Sequence, residues 1–366
     1  QQEGYINAEG NAVWNAAEWS VGMKAAVLAE WNKLEIREVP CPAAGPGEAV
    51  IRVAYTGICA SDMHAFRGKH PLAHPGMILG HEFSGVVAEL GSPCEGIKPG
   101  DKVCAHILEY CGRCDACKKG FHNLCRSLKV LGTQSDGTFA EYVKVPERIV
   151  KQNMFLLDES ISHKNACLME PFSCAVYGIE ECPIHLGDVV AVNGAGPIGL
   201  MFARLAVLKG AHVIVTDKAQ NRLELAKKLG VHEILNITNI EDSAFAVKAM
   251  TEGGRGADIV IEATGLINVW ESSVKMARKA GFVLLFGGTK EKSILSLDAT
   301  LLHYSQITVK GVFHTTPRHV QTALELLKMG VIQSDDFIQK EYPLEELEEA
   351  ILEHAAQKVI KNCIVY

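Results

Sequence analysis

The sequence predicts an α/β protein in two parts, an irregular β-rich unit and a doubly wound parallel sheet. Three observations predict it. Residues 187–222 run strand, glycine turn, helix, strand; short apolar strands and helices keep alternating to about residue 313; and residues 23–150 hold short strands broken by Gly and Pro without a helical period. At 366 residues the chain has room for two domains of ordinary size. The expected boundaries are an extension or tag over 1–22, a β-rich unit over 23–172, the parallel sheet over 173–312, and a return to the β-rich unit over 313–366.

Residues 189–192 form an apolar run suited to a buried parallel strand. The run breaks at Gly194-Ala195-Gly196-Pro197-Ile198-Gly199, and a helix follows with Ile198, Leu200, Met201, Leu205 and Ala206 on its apolar side. Gly194 permits a tight turn, Gly196 lets backbone approach a pyrophosphate, and Gly199 lets helix and strand pack closely. The helix start, at Pro197 and Ile198, turns free N–H groups and a partial positive charge toward the phosphates. A second strand over 211–216 ends in Asp217, where a carboxylate accepts ribose hydroxyls. All parts stand in register, so this stretch reads as a dinucleotide site. Asp217 repels a 2′-phosphate and favours NAD over NADP, although Lys218 and Arg222 lie close by.

Further strands are expected at 233–237, 258–262, 282–286 and 306–313, with a helix over 267–280. Strand C-termini line the ligand crevice of such sheets. Thr264, Gly287 and Phe313 are therefore expected beside the nicotinamide half, though each could simply cap its strand.

The composition, 48% hydrophobic and 22% charged, is that of a globular protein. A net charge of −7 argues against nucleic-acid binding. No apolar run approaches about 18 residues, so no membrane span is expected. Residues 1–22 lack the order of a signal peptide, which makes the expected location cytoplasmic. Among the twelve cysteines, four crowd into one short loop, a pattern that means metal more often than disulfides in a reducing compartment.

That loop holds Cys111, Cys114, Cys117 and Cys125 with spacing C-x2-C-x2-C-x7-C. Four thiolates wrapped round one ion make a closed, structural zinc site. An iron–sulfur run would place three residues before its last Cys and Pro after it, whereas here seven intervene and Arg126 follows. His122 lies inside the loop as a bystander. Upstream, Cys59-Ala60-Ser61-Asp62-Met63-His64 follows a strand, and Gly80-His81-Glu82 comes later. A thiolate, an imidazole and a carboxylate on separate loops suit an open zinc site with room for a further ligand. Met169-Glu170-Pro171 opens a helix, and Glu170 either complements the helix dipole or supplies another carboxylate.

Together, GICASDMH, GHEFSG, the four-Cys lobe, MEP and GAGPIG occur in the order seen in zinc-dependent medium-chain alcohol and polyol dehydrogenases, and the chain resembles that family over residues 23–366. The resemblance implies a GroES-like catalytic domain, with a structural zinc lobe about 104–126, interrupted by a Rossmann domain. It implies two zinc ions per chain and NAD. Cys59, His81 and a glutamate, Glu82 or Glu170, would hold the catalytic ion. Ser61 matches the family's relay hydroxyl, His64 its outer base, and Asp62 the carboxylate that orients His81. The implied reaction interconverts a secondary alcohol and a ketone by hydride transfer, on a polyol, diol or cyclitol. An amino-alcohol substrate, as for L-threonine 3-dehydrogenase, is the alternative, weakened because threonine dehydrogenases tend to carry Asp where Glu170 stands. A non-enzymatic NAD-binding zinc protein is the rival of another class. The resemblance further implies a homodimer or homotetramer built through the edge of the parallel sheet.

Overall fold

Gly57 ends the strand Ala49–Gly57, which pairs with three others and centres a seven-stranded sheet. The computed structural model describes residues 22–92 and 94–366, with the two short strands Tyr5–Ile6 and Ala12–Val13. The segment read as an extension or tag otherwise lies outside the described residues. The chain divides into two compact units, Gln1–Pro171 with Thr316–Tyr366, and Phe172–Thr315.

In the first unit, Met23–Glu30 and Lys33–Val39 form an antiparallel hairpin that turns at Asn32, whose φ of +65° is one that Asn tolerates. The main sheet runs Met154–Leu156, Lys102–Ala105, Glu82–Leu90, Ala49–Gly57, Lys361–Val365, Ile338–Tyr342, and Tyr142–Val145 also pairs with Ala49–Gly57. Alternation drives it: Ala49, Ile51 and Val53 turn into one apolar core with Phe83, Val87 and Val103. A second core joins the hairpin's Val27 and Leu28 to Phe66, Phe139 and Ile351. The strand Lys361–Val365 lies beside Ala49–Gly57, and Gly57 faces Cys363.

The second unit is a six-stranded, wholly parallel sheet. Its strands are β1 (Val189–Asn193), β2 (His212–Asp217), β3 (Glu233–Asn236), β4 (Ala257–Glu262), β5 (Ala277–Leu285) and β6 (Thr308–Gly311), in spatial order 3-2-1-4-5-6. That order is the doubly wound one, with its crevice between β1 and β4. All six residues of β4 are buried, the carboxylates Asp258 and Glu262 included, as in a central parallel strand covered on both faces. Gly199 lies against the turn before it: a Cβ there would sit 1.8 Å from the Gly194 carbonyl oxygen.

Element bounds differ from the sequence expectation: β5 begins at Ala277 rather than 282, and β6 ends at Gly311 rather than 313. The helix that starts at Ile267 ends at Met276, not at 280, because Ala277 is already extended and pairs with Ala257. Ala280 then takes a φ of +57° and donates its N–H to the Ser305 carbonyl, a kink that apolar periodicity does not register. The last strand begins at Thr308 rather than 306 because Gln306 has a φ of +51°, outside the β region. No described helix is long and apolar enough to cross a membrane.

Candidate functional site

Three adjacent strand ends build the centre of the first unit. Gly57 pairs with Glu82 on one side and Cys363 on the other. The chain leaves Gly57 for helix α1 (Ala60–Phe66), with Cys59 at its N-cap. Cys59, His81 and Glu82 thereby converge, with one ligand atom of each within 4.8 Å of the others. His81 and Glu82 are buried.

Asp62 organises the group. One carboxylate oxygen accepts the Cys59 N–H at 2.9 Å, and the other lies 3.1 Å from His81 Nδ1. In the neutral ring, with Nδ1–H donating to Asp62, Nε2 carries the lone pair, and it lies 3.3 Å from Ser61 Oγ. Burial would push the His81 pKa down, but the Asp62 charge and hydrogen bond outweigh it and hold the ring well above the usual imidazole range. Burial would likewise raise Asp62, and the His81 charge with the Cys59 N–H brings it below the ordinary carboxylate value. Three residues along the helix from half-buried Ser61, His64 is exposed.

Glu170 does not join this group. It sits in the first turn of helix α2 (Met169–Glu180), and its carboxylate lies 3.8 Å from buried His106 Nε2.

Two buried residues escape the sequence motifs, Lys361 in this centre and His106 beside Glu170. Lys361, 2% exposed, forms an ion pair with Glu82 Oε2 and donates to the Ile58 carbonyl at 3.0 Å. Burial would lower its pKa, but Glu82 holds the ammonium above its ordinary value. A Cβ on Gly57 would fall 2.3 Å from Glu82 Oε2, so only glycine leaves room for this pair. One available signal was the polar Lys361-Asn362 step inside an otherwise apolar strand. His106 carries no comparable signal.

The cysteine lobe is compact. Cys114 Sγ lies 3.5 Å from Cys117 Sγ and 3.9 Å from Cys125 Sγ, bracketing the ~3.8 Å edge of a tetrahedron with ~2.3 Å zinc–sulfur bonds. All four sulfurs fall within 4.8 Å of one another, and none is in a disulfide. Backbone N–H groups of Arg113 and Cys114 point at Cys111 Sγ and draw that thiol down to about 6. His122 stays outside the sulfur group, bonded to the Gly120 carbonyl and edge-on to Tyr110.

In the second unit, helix α3 (Pro197–Leu208) starts from Gly196 with no side chain capping it, and Ile198 follows in the first turn. A Cβ on Gly196 would meet nothing within 4 Å, so the helix start opens onto free space. Asp217 accepts the Ala195 N–H at 2.6 Å and the Ala219 N–H at 2.8 Å, which ties the end of β2 to the glycine turn. Lys218 is exposed. Arg222 is buried, and that burial lowers its pKa against the opposing pull of Asp217. Thr264 is exposed just past β4, Gly287 half-buried past β5, and Phe313 exposed past β6.

Residues 45–153 match the family model of the alcohol dehydrogenase GroES-like domain, and residues 197–329 that of the zinc-binding dehydrogenases. The chain is 36% identical to the D-arabitol-phosphate dehydrogenase of Enterococcus avium, covering 87% of this chain and 90% of that protein. It is 33% identical to the sorbitol dehydrogenase of Bacillus subtilis, covering 92% and 94%. The chain belongs to the zinc-type medium-chain alcohol dehydrogenases. Its structure matches that of a Sinorhizobium meliloti protein given as a zinc-binding dehydrogenase and solved with NADP, with a TM-score of 0.87 and 30% identity over 94% of this chain and 99% of that one. This dehydrogenase is therefore an oxidoreductase acting on CH–OH groups, with a GroES-like domain and a Rossmann domain.

The residues present fit the groups that the family implies. Glu82 Oε1 is buried with no hydrogen-bond partner, and such an oxygen beside a thiol and an imidazole lone pair suits a divalent cation. The four sulfurs suit a closed zinc site. The uncapped N–H groups of α3, behind a glycine that leaves space, suit a pyrophosphate.

Two outcomes follow for the dehydrogenase. Cys114→Ser should lower bound zinc from two ions per chain to one by elemental analysis. It should also drop Tm by roughly 10 °C, as a loss of about 4 kcal/mol would; unchanged zinc would refute a metal in the lobe. Asp62→Asn should weaken metal retention by about 10–100-fold in competition with a chelator, because Nδ1 loses its anionic partner.

Proposed function

We propose that this dehydrogenase oxidises a secondary alcohol of the polyol, diol or cyclitol type to the ketone, reversibly, with NAD as hydride acceptor. The observation that carries the reading is the convergence of Cys59, His81 and the orphaned Glu82 oxygen beside Ser61. Cys59, His81 and Glu82 would hold the catalytic zinc, with Glu170 set back against His106, and Cys111, Cys114, Cys117 and Cys125 would hold the structural one. When bound, zinc supplies a Lewis acid that makes an alcohol proton easier to lose, and the dinucleotide supplies the hydride acceptor.

The chain's own residues then handle orientation and the proton. Asp62 fixes the tautomer of His81. Ser61 Oγ takes up the alcohol proton and passes it along α1 to His64, whose exposed ring returns it to water. On the cofactor side, the glycine turn at Gly194, Gly196 and Gly199, with Pro197 and Ile198, would receive the pyrophosphate. Asp217 would take the adenosine ribose and disfavour a 2′-phosphate, while burial of Arg222 reduces its value as a phosphate ligand. Thr264, Gly287 and Phe313 would flank the nicotinamide.

The polyol assignment draws support from the arabitol-phosphate and sorbitol relatives. The edge of β6, unpaired among the described residues, supports a homo-oligomer that continues the sheet. Light scattering of the purified protein should report a dimer or tetramer, and a monomer at micromolar concentration would refute this.

The decisive assay follows nicotinamide absorbance with sorbitol, xylitol, butanediol, inositol and threonine, using NAD and NADP in parallel. Turnover of at least one polyhydroxy alcohol is expected, with kcat/KM favouring NAD by about tenfold or more. Cys59→Ser should abolish it while circular dichroism stays unchanged. A strong NADP preference would overturn the cofactor assignment. No reduction of either cofactor by the zinc-loaded protein would refute the polyol assignment.

A further inference from the structure

Glu262 closes β4 at the carboxyl edge of the Rossmann sheet, fully buried. Its side chain turns to the loop that follows. One carboxylate oxygen accepts the Thr264 N–H at 2.7 Å, the Gly265 N–H at 3.1 Å and the Thr264 hydroxyl. The other accepts the Gly265 N–H at 3.3 Å. These partners are all donors, which suits an ionised, acceptor-only carboxylate. Burial raises its pKa, and the same donors oppose that rise.

The main chain of the same residue holds a second loop. The Glu262 carbonyl accepts N–H groups from Phe286 at 3.0 Å and Gly287 at 3.1 Å, just past β5. Between the two loops backbone lies on backbone: a Cβ on Gly265 would fall 2.1 Å from the Gly288 carbonyl oxygen. Immediately after the first loop begins helix α4 (Ile267–Met276), with Leu266 at its N-cap and no side chain capping it. The carboxylate thus takes up the N–H groups of the loop ahead of α4, while the start of α3, with no side-chain cap, opens onto free space.

The geometry assigns Glu262 as a positioning residue that sets the Thr264–Gly265 and Phe286–Gly288 loops as one surface for the nicotinamide half of the cofactor. This rests on the reading above that those loops flank the nicotinamide. Glu262 touches neither cofactor nor substrate in this role. It acts through the loops, so its loss should be felt by one half of the dinucleotide more than the other.

The test compares two ligands on the intact, zinc-loaded protein by calorimetry: NADH, and ADP-ribose, which lacks the nicotinamide. Glu262→Gln turns an NH2 donor against loop N–H donors and should weaken NADH by about tenfold or more, while ADP-ribose changes by less than about threefold. Glu262→Asp keeps the charge but withdraws it from Gly265, and a smaller shift of the same ratio is expected. Tm is read alongside. An equal loss for both ligands, an unchanged ratio, or failure of both variants to fold would make Glu262 a plain core anchor and overturn the assignment. Failure of wild-type protein to bind ADP-ribose at all would instead strike at the dinucleotide reading itself.

Discussion

Backbone pairing at Gly57 is the constraint on which the convergence of Cys59, His81 and Glu82 depends. Its antiparallel partners, Glu82 on one side and Cys363 on the other, fix how far each strand reaches. That register brings a thiol, an imidazole, a carboxylate and an ammonium to one spot from segments some 300 residues apart in sequence (303 separate Lys361 from Ile58). A slip of one residue in either pairing would turn Glu82 or Lys361 to the opposite face of the sheet. The buried charges are then mutually dependent. Glu82 is balanced by Lys361 and Asp62 by His81, and removing one partner would strand the other in a medium that solvates it poorly.

The Rossmann unit solves a different problem with the same materials. Its glycine turn leaves the first N–H groups of α3 without a side-chain cap. Gly196 leaves the start of α3 open, and Asp217 ties the turn behind it through the Ala195 N–H. At the neighbouring strand end, Glu262 takes up the Thr264 and Gly265 N–H groups of the loop ahead of α4.

Much of this was legible in the sequence because the chemistry is local there. The glycine turn, Cys59 with Ser61, Asp62 and His64, the His81-Glu82 step and the four cysteines are contiguous motifs whose spacing is itself the geometry. The doubly wound strand pattern was legible for the same reason, since buried parallel strands are continuous apolar runs. What stayed hidden depends on tertiary pairing. Lys361 enters the centre through a strand that joins the sheet from the far end of the chain. His106 meets Glu170 only because Lys102–Ala105 pairs with Met154–Leu156, and the His106 N–H then reaches the Asn153 carbonyl. The early end of α4 was missed because Ala277 already turns extended to pair with Ala257, a tertiary pairing that apolar periodicity does not register.

The first unit is discontinuous, made of segments on both sides of the second. A ribosome reads the chain in one direction, so the stretch 172–315 is complete and free to collapse while its host still lacks Lys361–Val365. Inserted domain first, enclosing domain last, is the order that vectorial synthesis imposes, and Gly57 waits with one flank open until the final strand emerges. Through that interval Glu82 has no ammonium beside it, which makes the nascent β-rich half the vulnerable species for premature capture of a cation or for edge-to-edge association.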